Sequence, residues 1–422
     1  MGCSKNLVDS ERLLSMFAKA GIEAYHNADG FVGGSVVINT CGFIGDAKEE
    51  SINTILETCQ LKGEGLIDKV YVMGCLSERY SKELPAEIPE VDGWYGKFDW
   101  PGIVEALTSA KVADATSYDR QVTTLSHHAY IKIAEGCNRF CAFCAIPLIT
   151  GRYKSRPINE ILDETKALVA KGVSEFNVIA QDLSFYGHDI YKRSALAELI
   201  EQMAQIDGVR RIRLHYAYPA DFPYDILPVM AKYPNVCKYL DIALQHIDDR
   251  VLKNMHRHIT GDETRKLLDR IRSEVPGIHI RTTLMVGFPG ETQEAFDSLV
   301  EFVREQRFER MGAFAYCEED DTAAAREFCD DIPEDVKQER LDKIMAEQEA
   351  IALELNEAKI GTTLEVVIDS ENEDYYVGRT EFDSPEVDPE VLIKKTKQLA
   401  IGEYVMVHIE DAMPFELIAT AI

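Results

Sequence analysis

No apolar run in this chain approaches the roughly 20 residues that a membrane-spanning helix needs. The N-terminus lacks the basic, then apolar, then small-residue order of a secretory signal, so a cytoplasmic location is the expectation. Positive charge is scarce: 45 Lys and Arg stand against 73 Asp and Glu, a formal net charge of −28. Such a surface repels phosphate polymers and attracts basic partners, so neither membrane attachment nor stable nucleic-acid binding is expected. A fourth cysteine is missing as well. The stretch GCNRFCAFC spaces Cys137, Cys141 and Cys144 as C-x3-C-x2-C. A zinc site wants four ligands, commonly as two separated pairs, and a bacterial-type ferredoxin run wants C-x2-C-x2-C plus another cysteine.

At 422 residues the chain exceeds what one core organises, so two to three domains are expected. With 46% hydrophobic and 28% charged residues it has an ordinary globular composition. Its 10 cysteines, in a reducing compartment, point to metal binding or redox chemistry more than to disulfides.

Three regions differ in pattern. Residues 1–122 carry two buried-strand runs, SVVINT (35–40) and KVYVMG (69–74), around an amphipathic helical stretch at 46–59, an alternation that implies a parallel sheet. Residues 123–358 repeat the alternation with six strand candidates: YIKIAE, EFNVIA, RRIRLHY, YLDIAL, IRTTLMVG and MGAFAY. A long polar helix over 333–358 closes this region, with Pro333 near its start. Six β/α units are too few for an eight-stranded barrel and enough for an open, partial one. Residues 359–422 hold five short alternating runs, which read as a small antiparallel β-barrel. From Gly361 onward, 14 Asp and Glu face four Lys and Arg, a net of −10. The fold class is therefore α/β: an N-terminal parallel-sheet domain, a central partial barrel of six β/α units, and a C-terminal β-barrel.

A four-iron cluster held by only three thiolates leaves one iron without a protein ligand. That iron can bind the amine and carboxylate of S-adenosylmethionine, and an electron from the cluster can then cleave the sulfonium to release a deoxyadenosyl radical. The position just after the first strand of a β/α series is where such folds place their chemistry. A second set lies upstream: Cys3 in MGCSKN, Cys41 in INTCGF and Cys75 in VMGCLS, the last two each following a buried strand. Thiolates at the carboxyl ends of neighbouring parallel strands converge at one sheet edge.

CNRFCAFC resembles the signature of the radical S-adenosylmethionine superfamily, with Phe143 at its usual aromatic position. The whole order of parts, three separated cysteines, the radical motif and a TRAM-like barrel for substrate recognition, resembles the methylthiotransferases over nearly the entire chain. The resemblance implies two 4Fe-4S clusters, one on Cys137, Cys141 and Cys144 that starts hydrogen abstraction, and one on Cys3, Cys41 and Cys75 that carries or supplies sulfur. It also implies two molecules of S-adenosylmethionine per turnover and an electron donor such as flavodoxin or ferredoxin. The wording GCSKNLVDSE, RLHYAYP, KYLDIALQHI and GRTEFDSPEVDP resembles the branch that methylthiolates the β-carbon of an aspartate in small-subunit ribosomal protein S-twelve, free or within the ribosomal particle. The alternative branch modifies a transfer-RNA adenosine next to the anticodon. An acidic barrel would work against a phosphate backbone and would steer a basic ribosomal protein. Family members usually carry a short apolar strand before the first cysteine, whereas here Met1 and Gly2 precede Cys3 directly, so that strand is expected to be absent or the start trimmed, with Cys3 weakly anchored.

Further cofactor contacts are expected from Gln181 and Asp182 in AQDLSFYG, toward the ribose or amino-acid moiety, and from Gly287 and Gly290 in GFPGET, where glycine lets backbone approach a ligand; both segments also read as plain β/α turns. No catalytic side chain is assigned beyond the cluster ligands. Cys59, Cys237, Cys317 and Cys329 read as incidental thiols, the acidic run at 317–331 as a solvated loop, and the acidic stretch at 381–390 as a barrel edge that touches substrate.

Overall fold

The computed structural model describes residues 2–27, 30, 32–108 and 119–422. Near the N-terminus, β1 (Ser35–Thr40), β2 (Lys69–Gly74) and β3 (Gly93–Trp94) form a parallel sheet in chain order. The first two are the runs rich in β-branched residues, as a buried pleated surface favours. Helix Gly45–Gly63 crosses between them and buries Ile55 against Ile38, Val70 and Val72.

The middle region begins with β4 (His128–Lys132), followed by a short antiparallel pair, β5 (Ala134–Glu135) and β6 (Lys154–Ser155). Then come β7 (Glu175–Ile179), β8 (Arg211–Ala217), β9 (Val236–Ile242), β10 (His279–Val286) and β11 (Arg310–Ala315). Strands β4 and β7 to β11 pair in parallel and in chain order, and the sheet stays open between β4 and β11. Side chains alternate across these strands. Ile131, Phe176, Val178, Ile212, Leu214 and Ile280 join the main core beneath the helices. On the opposite face Lys132, Glu175, Asn177, Arg213, Tyr239 and Asp241 are buried as well.

Burying ions costs several kcal/mol each unless partners are supplied, and the C-terminal domain supplies them. Strands β12 (Thr363–Glu371), β13 (Tyr375–Arg379), β14 (Glu390–Lys394), β15 (Tyr404–Met413) and β16 (Glu416–Ala421) close into a barrel. Arg379, at the end of β13, reaches Glu175 at 2.7 Å, and Glu175 also takes Arg213 at 2.6 Å and Arg211 at 3.8 Å. Arg310 pairs with Asp383 at 2.6 Å, while Asp388 accepts the Tyr239 hydroxyl at 2.7 Å and pairs with Arg281 at 3.3 Å.

Three expectations are corrected. The barrel is not wholly antiparallel: β14 and β16 run parallel, from Glu390 beside Glu416 to Lys394 beside Thr420. Strand parity requires this, because a closed ring of five strands cannot alternate direction all the way round. The stretch at 381–390 is an open edge only in part: Glu386, Val387 and Glu390 are exposed, whereas Asp383 and Ser384 are buried and Asp388 is bonded into the middle domain. The acidic run at 317–331 is not simply solvated. Glu319 is 4% exposed and pairs with Lys48 at 2.8 Å and Arg79 at 2.7 Å, and helix Ala323–Glu327 lies within the run. Bases from a distant part of the chain neutralise what looks locally like unrelieved repulsion.

Burial alone would raise the Glu175 carboxyl, but Arg379, Arg213 and Arg211 outweigh it and hold it well below the ordinary carboxylate range. Glu175→Gln leaves three guanidiniums without their carboxylate and should cost about 3–5 kcal/mol, read as a lower urea midpoint. A carboxyl depressed in the folded state contributes fully above its unfolded pKa of about 4.3 and loses that contribution as pH falls through the folded value. The gap between wild type and variant should therefore narrow below about pH 4.3. A gap that stays constant on acidification would show that the carboxylate charge is not what holds the joint.

Candidate functional site

Two strand ends and one helix start assemble the first cysteine trio. Cys41 follows β1, Cys75 follows β2, and Cys3 caps helix Ser4–Lys19. A Cβ at Gly74, whose φ is +105°, would lie 2.5 Å from the Thr40 carbonyl oxygen, and one at Gly42 would lie 2.7 Å from the Leu76 backbone nitrogen. Glycine at both places lets the two cysteine loops touch. Asn6 fastens the third. Its amide donates to the Thr40 carbonyl at 3.0 Å, its carbonyl accepts from Asn39 at 2.9 Å, and its side-chain oxygen accepts the Cys75 thiol at 3.4 Å. Cys3 itself is exposed, while Asn6, one turn further on, pins the helix to the loop after β1. Burial pushes the Cys75 thiol up to about 12, opposed by Lys97 and reinforced by Cys3 and Cys41. Burial raises Cys41 too, with Cys3 adding.

The second trio sits on the loop between β5 and β6. The Arg139 backbone N–H donates to Cys137 Sγ at 3.4 Å, the Arg257 guanidinium donates to Cys141 Sγ at 3.4 Å, and the Tyr218 hydroxyl lies 3.7 Å from that same sulfur. Cationic donors aimed at sulfur suit a thiolate. The Arg139 guanidinium also pairs with Asp182 at 2.7 Å and Asp221 at 3.0 Å, fixing the loop to the turns after β7 and β8. Burial pushes Cys137 up to about 12 and raises Cys144, with neighbouring Cys141 adding to both.

Each trio is thus a set of mutually sensed thiols whose protons a metal would displace. Among the described residues no group of three or more His, Cys, Asp or Glu side chains is close enough to hold a metal ion. Three thiolates apiece fall one short of the four protein ligands of a structural zinc site and suit a four-iron cluster that keeps one iron open.

The segments that carry the two trios meet at a domain joint. Cys75 packs with Ala145 and Ile149 in one apolar cluster, and Ala145 directly follows Cys144. Beside it Lys97 pairs with Glu135 at 3.0 Å and Lys132 with Glu135 at 3.1 Å, while Lys132 also grips Asp9. Across the joint, Arg79, held by Glu319, donates to the Gly42 carbonyl at 3.1 Å, next to Cys41.

Phe143 packs edge-on to Phe288 at 6.4 Å, tying the cysteine loop to the turn after β10. Gly287 and Gly290 shape that turn, with φ of +72° and +83°. The Gly287 N–H is already taken by Glu291 at 2.7 Å. Gln181 donates to Glu135 at 3.4 Å and leaves its buried side-chain oxygen without a partner, a group that a ligand could satisfy. Asp182 has no such freedom. One oxygen holds Arg139 and the other accepts the Ser184 N–H at 2.8 Å, so within the protein Asp182 secures the loop. Sequence reasoning missed Asn6, Tyr218 and Arg257 as neighbours of the sulfurs. Asn6 lies inside the quoted MGCSKN, so its place three residues from Cys3 on a helix was the available signal, whereas Tyr218 and Arg257 carry no local pattern.

Residues 131–303 match the Radical SAM superfamily, residues 360–422 the TRAM domain, and residues 1–96 the Uncharacterized protein family UPF0004. The chain is 56% identical to the ribosomal protein uS12 methylthiotransferase RimO of Parabacteroides distasonis, with 99% of this chain and 96% of that one covered. It is 57% identical to the protein of the same name from Phocaeicola vulgatus, covering 100% and 97%. Identity to the counterpart in Christiangramia forsetii is 50%, covering 99% and 92%. Among solved structures, the radical S-adenosylmethionine methyltransferase TsrM from Kitasatospora setae has a similar fold, with a TM-score of 0.54 at 14% identity over 74% of this chain and 70% of that one.

Gly42→Ala should force the Cys41 and Cys75 loops apart. After anaerobic reconstitution its iron content should fall to that of Cys41→Ala. Iron at the wild-type level would show that the two loops need not touch.

Proposed function

The chain belongs to the ribosomal protein uS12 methylthiotransferase family, and on that premise we propose that it inserts sulfur and a methyl group at the β-carbon of an aspartate of ribosomal protein uS12. Membership carries S-adenosylmethionine and a four-iron cluster; the second cluster is part of our reading. The observation that carries the reading is that the segments bearing the two cysteine trios meet, Cys75 packing with Ala145 next to Cys144.

Cys137, Cys141 and Cys144 would hold the cluster that binds S-adenosylmethionine, and Cys3, Cys41 and Cys75 the other. When bound, these groups supply a deoxyadenosyl radical for hydrogen abstraction on one side and sulfur for insertion on the other. The chain's own residues do the positioning. Arg257 directs a charged donor at Cys141. The Arg139–Asp182 pair keeps the cysteine loop seated. Gln181 offers its free oxygen to the amine or ribose of S-adenosylmethionine, and Phe143, Gly287 and Gly290 frame the opposite wall through Phe288. Cys75 and Ala145 are both buried where the two cysteine segments pack together.

The C-terminal barrel, with its net charge of −10, would draw a basic ribosomal protein toward the enzyme, either free or in the ribosomal particle. The same charge and the names of the relatives leave a transfer-RNA substrate without support. A one-electron donor such as flavodoxin or ferredoxin completes the partners. Among the described residues no helix is long and apolar enough to cross a membrane.

Anaerobic enzyme, reductant and S-adenosylmethionine mixed with a peptide from the aspartate loop of uS12 should add a methylthio group detectable by mass spectrometry. Cys141→Ala should lose both S-adenosylmethionine cleavage and product. Cys41→Ala should keep the cleavage and form no methylthio product. Full product from Cys41→Ala, or modification of transfer RNA in place of the peptide, would overturn the proposal.

A further inference from the structure

Charge is dense near the two cysteine trios, and its other cations have hydrogen-bond acceptors: Lys97 and Lys132 take Glu135, Arg139 takes Asp182, and Arg257 takes Cys141 Sγ and the Ala243 carbonyl. Lys5 differs. It is 8% exposed, and among the described residues it makes neither a hydrogen bond nor an ion pair. Its ammonium instead lies 3.1 Å from the centroid of the Tyr216 ring.

Tyr216 adopts this position under strain. It stands next to last in β8 with φ at +67°, a backbone conformation that bulky residues rarely enter and that persists only where the surroundings enforce it. Asp241 holds its N–H at 3.3 Å.

Chain connectivity places Lys5 between the trios. Its neighbour Asn6 touches Cys75, and Tyr216 is two residues from Tyr218, which lies beside Cys141. Val8, Tyr130 and Ile179 pack with Tyr216 as an apolar collar around the same spot. A lone ammonium beside an apolar wall is a receptor for one anionic group, because low local dielectric strengthens the pair that forms.

We propose that Lys5 is the specificity-determining residue that receives the side-chain carboxylate of the substrate aspartate. The proposal rests on the methylthiotransferase reading above. The carboxylate is one bond from the β-carbon, so anchoring it at Lys5 fixes the reacting carbon between the two cysteine trios. A nucleobase brings no carboxylate to that point.

Two peptides from the uS12 loop, carrying Asp or Asn at the modified position, are titrated anaerobically against reconstituted enzyme and followed by fluorescence anisotropy. Wild type should prefer Asp by about 10- to 100-fold, as expected for a hydrogen bond between charged groups. Lys5→Met and Lys5→Gln should bind both peptides alike, and Lys5→Arg should restore the preference in part, with iron content unchanged as the check on folding. Absence of any Asp preference in wild type, or a wild-type preference retained in Lys5→Met, would overturn the role of Lys5. If wild type methylthiolates the Asp peptide in that case, the enzymatic reading stands and this inference alone fails. No methylthiolation of the peptide by wild type would instead count against the reading on which it rests.

Discussion

Everything in this molecule is arranged around a sheet whose inner face cannot be left alone. Six parallel strands bury Glu175 among Arg211, Arg213 and Arg379, and the last of these comes from another domain. An open barrel with an apolar lining could fill itself with side chains. One lined with Glu175, Asn177, Arg213, Tyr239 and Asp241 must be completed from outside, since each unpaired buried ion costs several kcal/mol. The C-terminal barrel completes it where the strands begin, at Glu175, Arg211 and Arg310. The N-terminal helix completes it where they end, at Lys132 and Tyr216.

That division separates holding from chemistry. The strand starts are sealed by guanidinium–carboxylate pairs to the barrel, so the 381–390 stretch serves cohesion. The strand ends face the cysteine loop and the N-terminal sheet, and there glycine at 42 and 74 and the hub at Asn6 bring thiols from three separate segments to one edge. The surplus of negative charge is left largely for the surface, where it acts at long range on partners.

Much of this was legible from local pattern. SVVINT and KVYVMG coincide with β1 and β2 residue for residue, and the six central strands appear in the order their β/α alternation implied. The cysteine sets were readable because strand ends in a parallel sheet are neighbours wherever they fall in the sequence. Barrel parity was readable in principle from the count of five strands alone. The partners of Glu319 were not, because Lys48 lies 271 residues away and nothing near either residue marks the other. Arg257 beside Cys141 and Lys5 over Tyr216 escaped for the same reason: a single long-range contact leaves no periodicity.

Helix Ser4–Lys19 carries Cys3, Lys5, Asn6, Asp9 and Glu11 within three turns, and their partners include Thr40, Cys75, Arg120, Lys132 and Tyr216. Those partners are made in that order as the chain is synthesised. This helix, made before every one of those partners, is therefore among the last to be seated, because its polar face has no complete set of neighbours until strand β8 has emerged. Pairings of such long sequence separation form slowly. Until they form, Cys3 rides at the start of a helix whose polar face still lacks part of its partners.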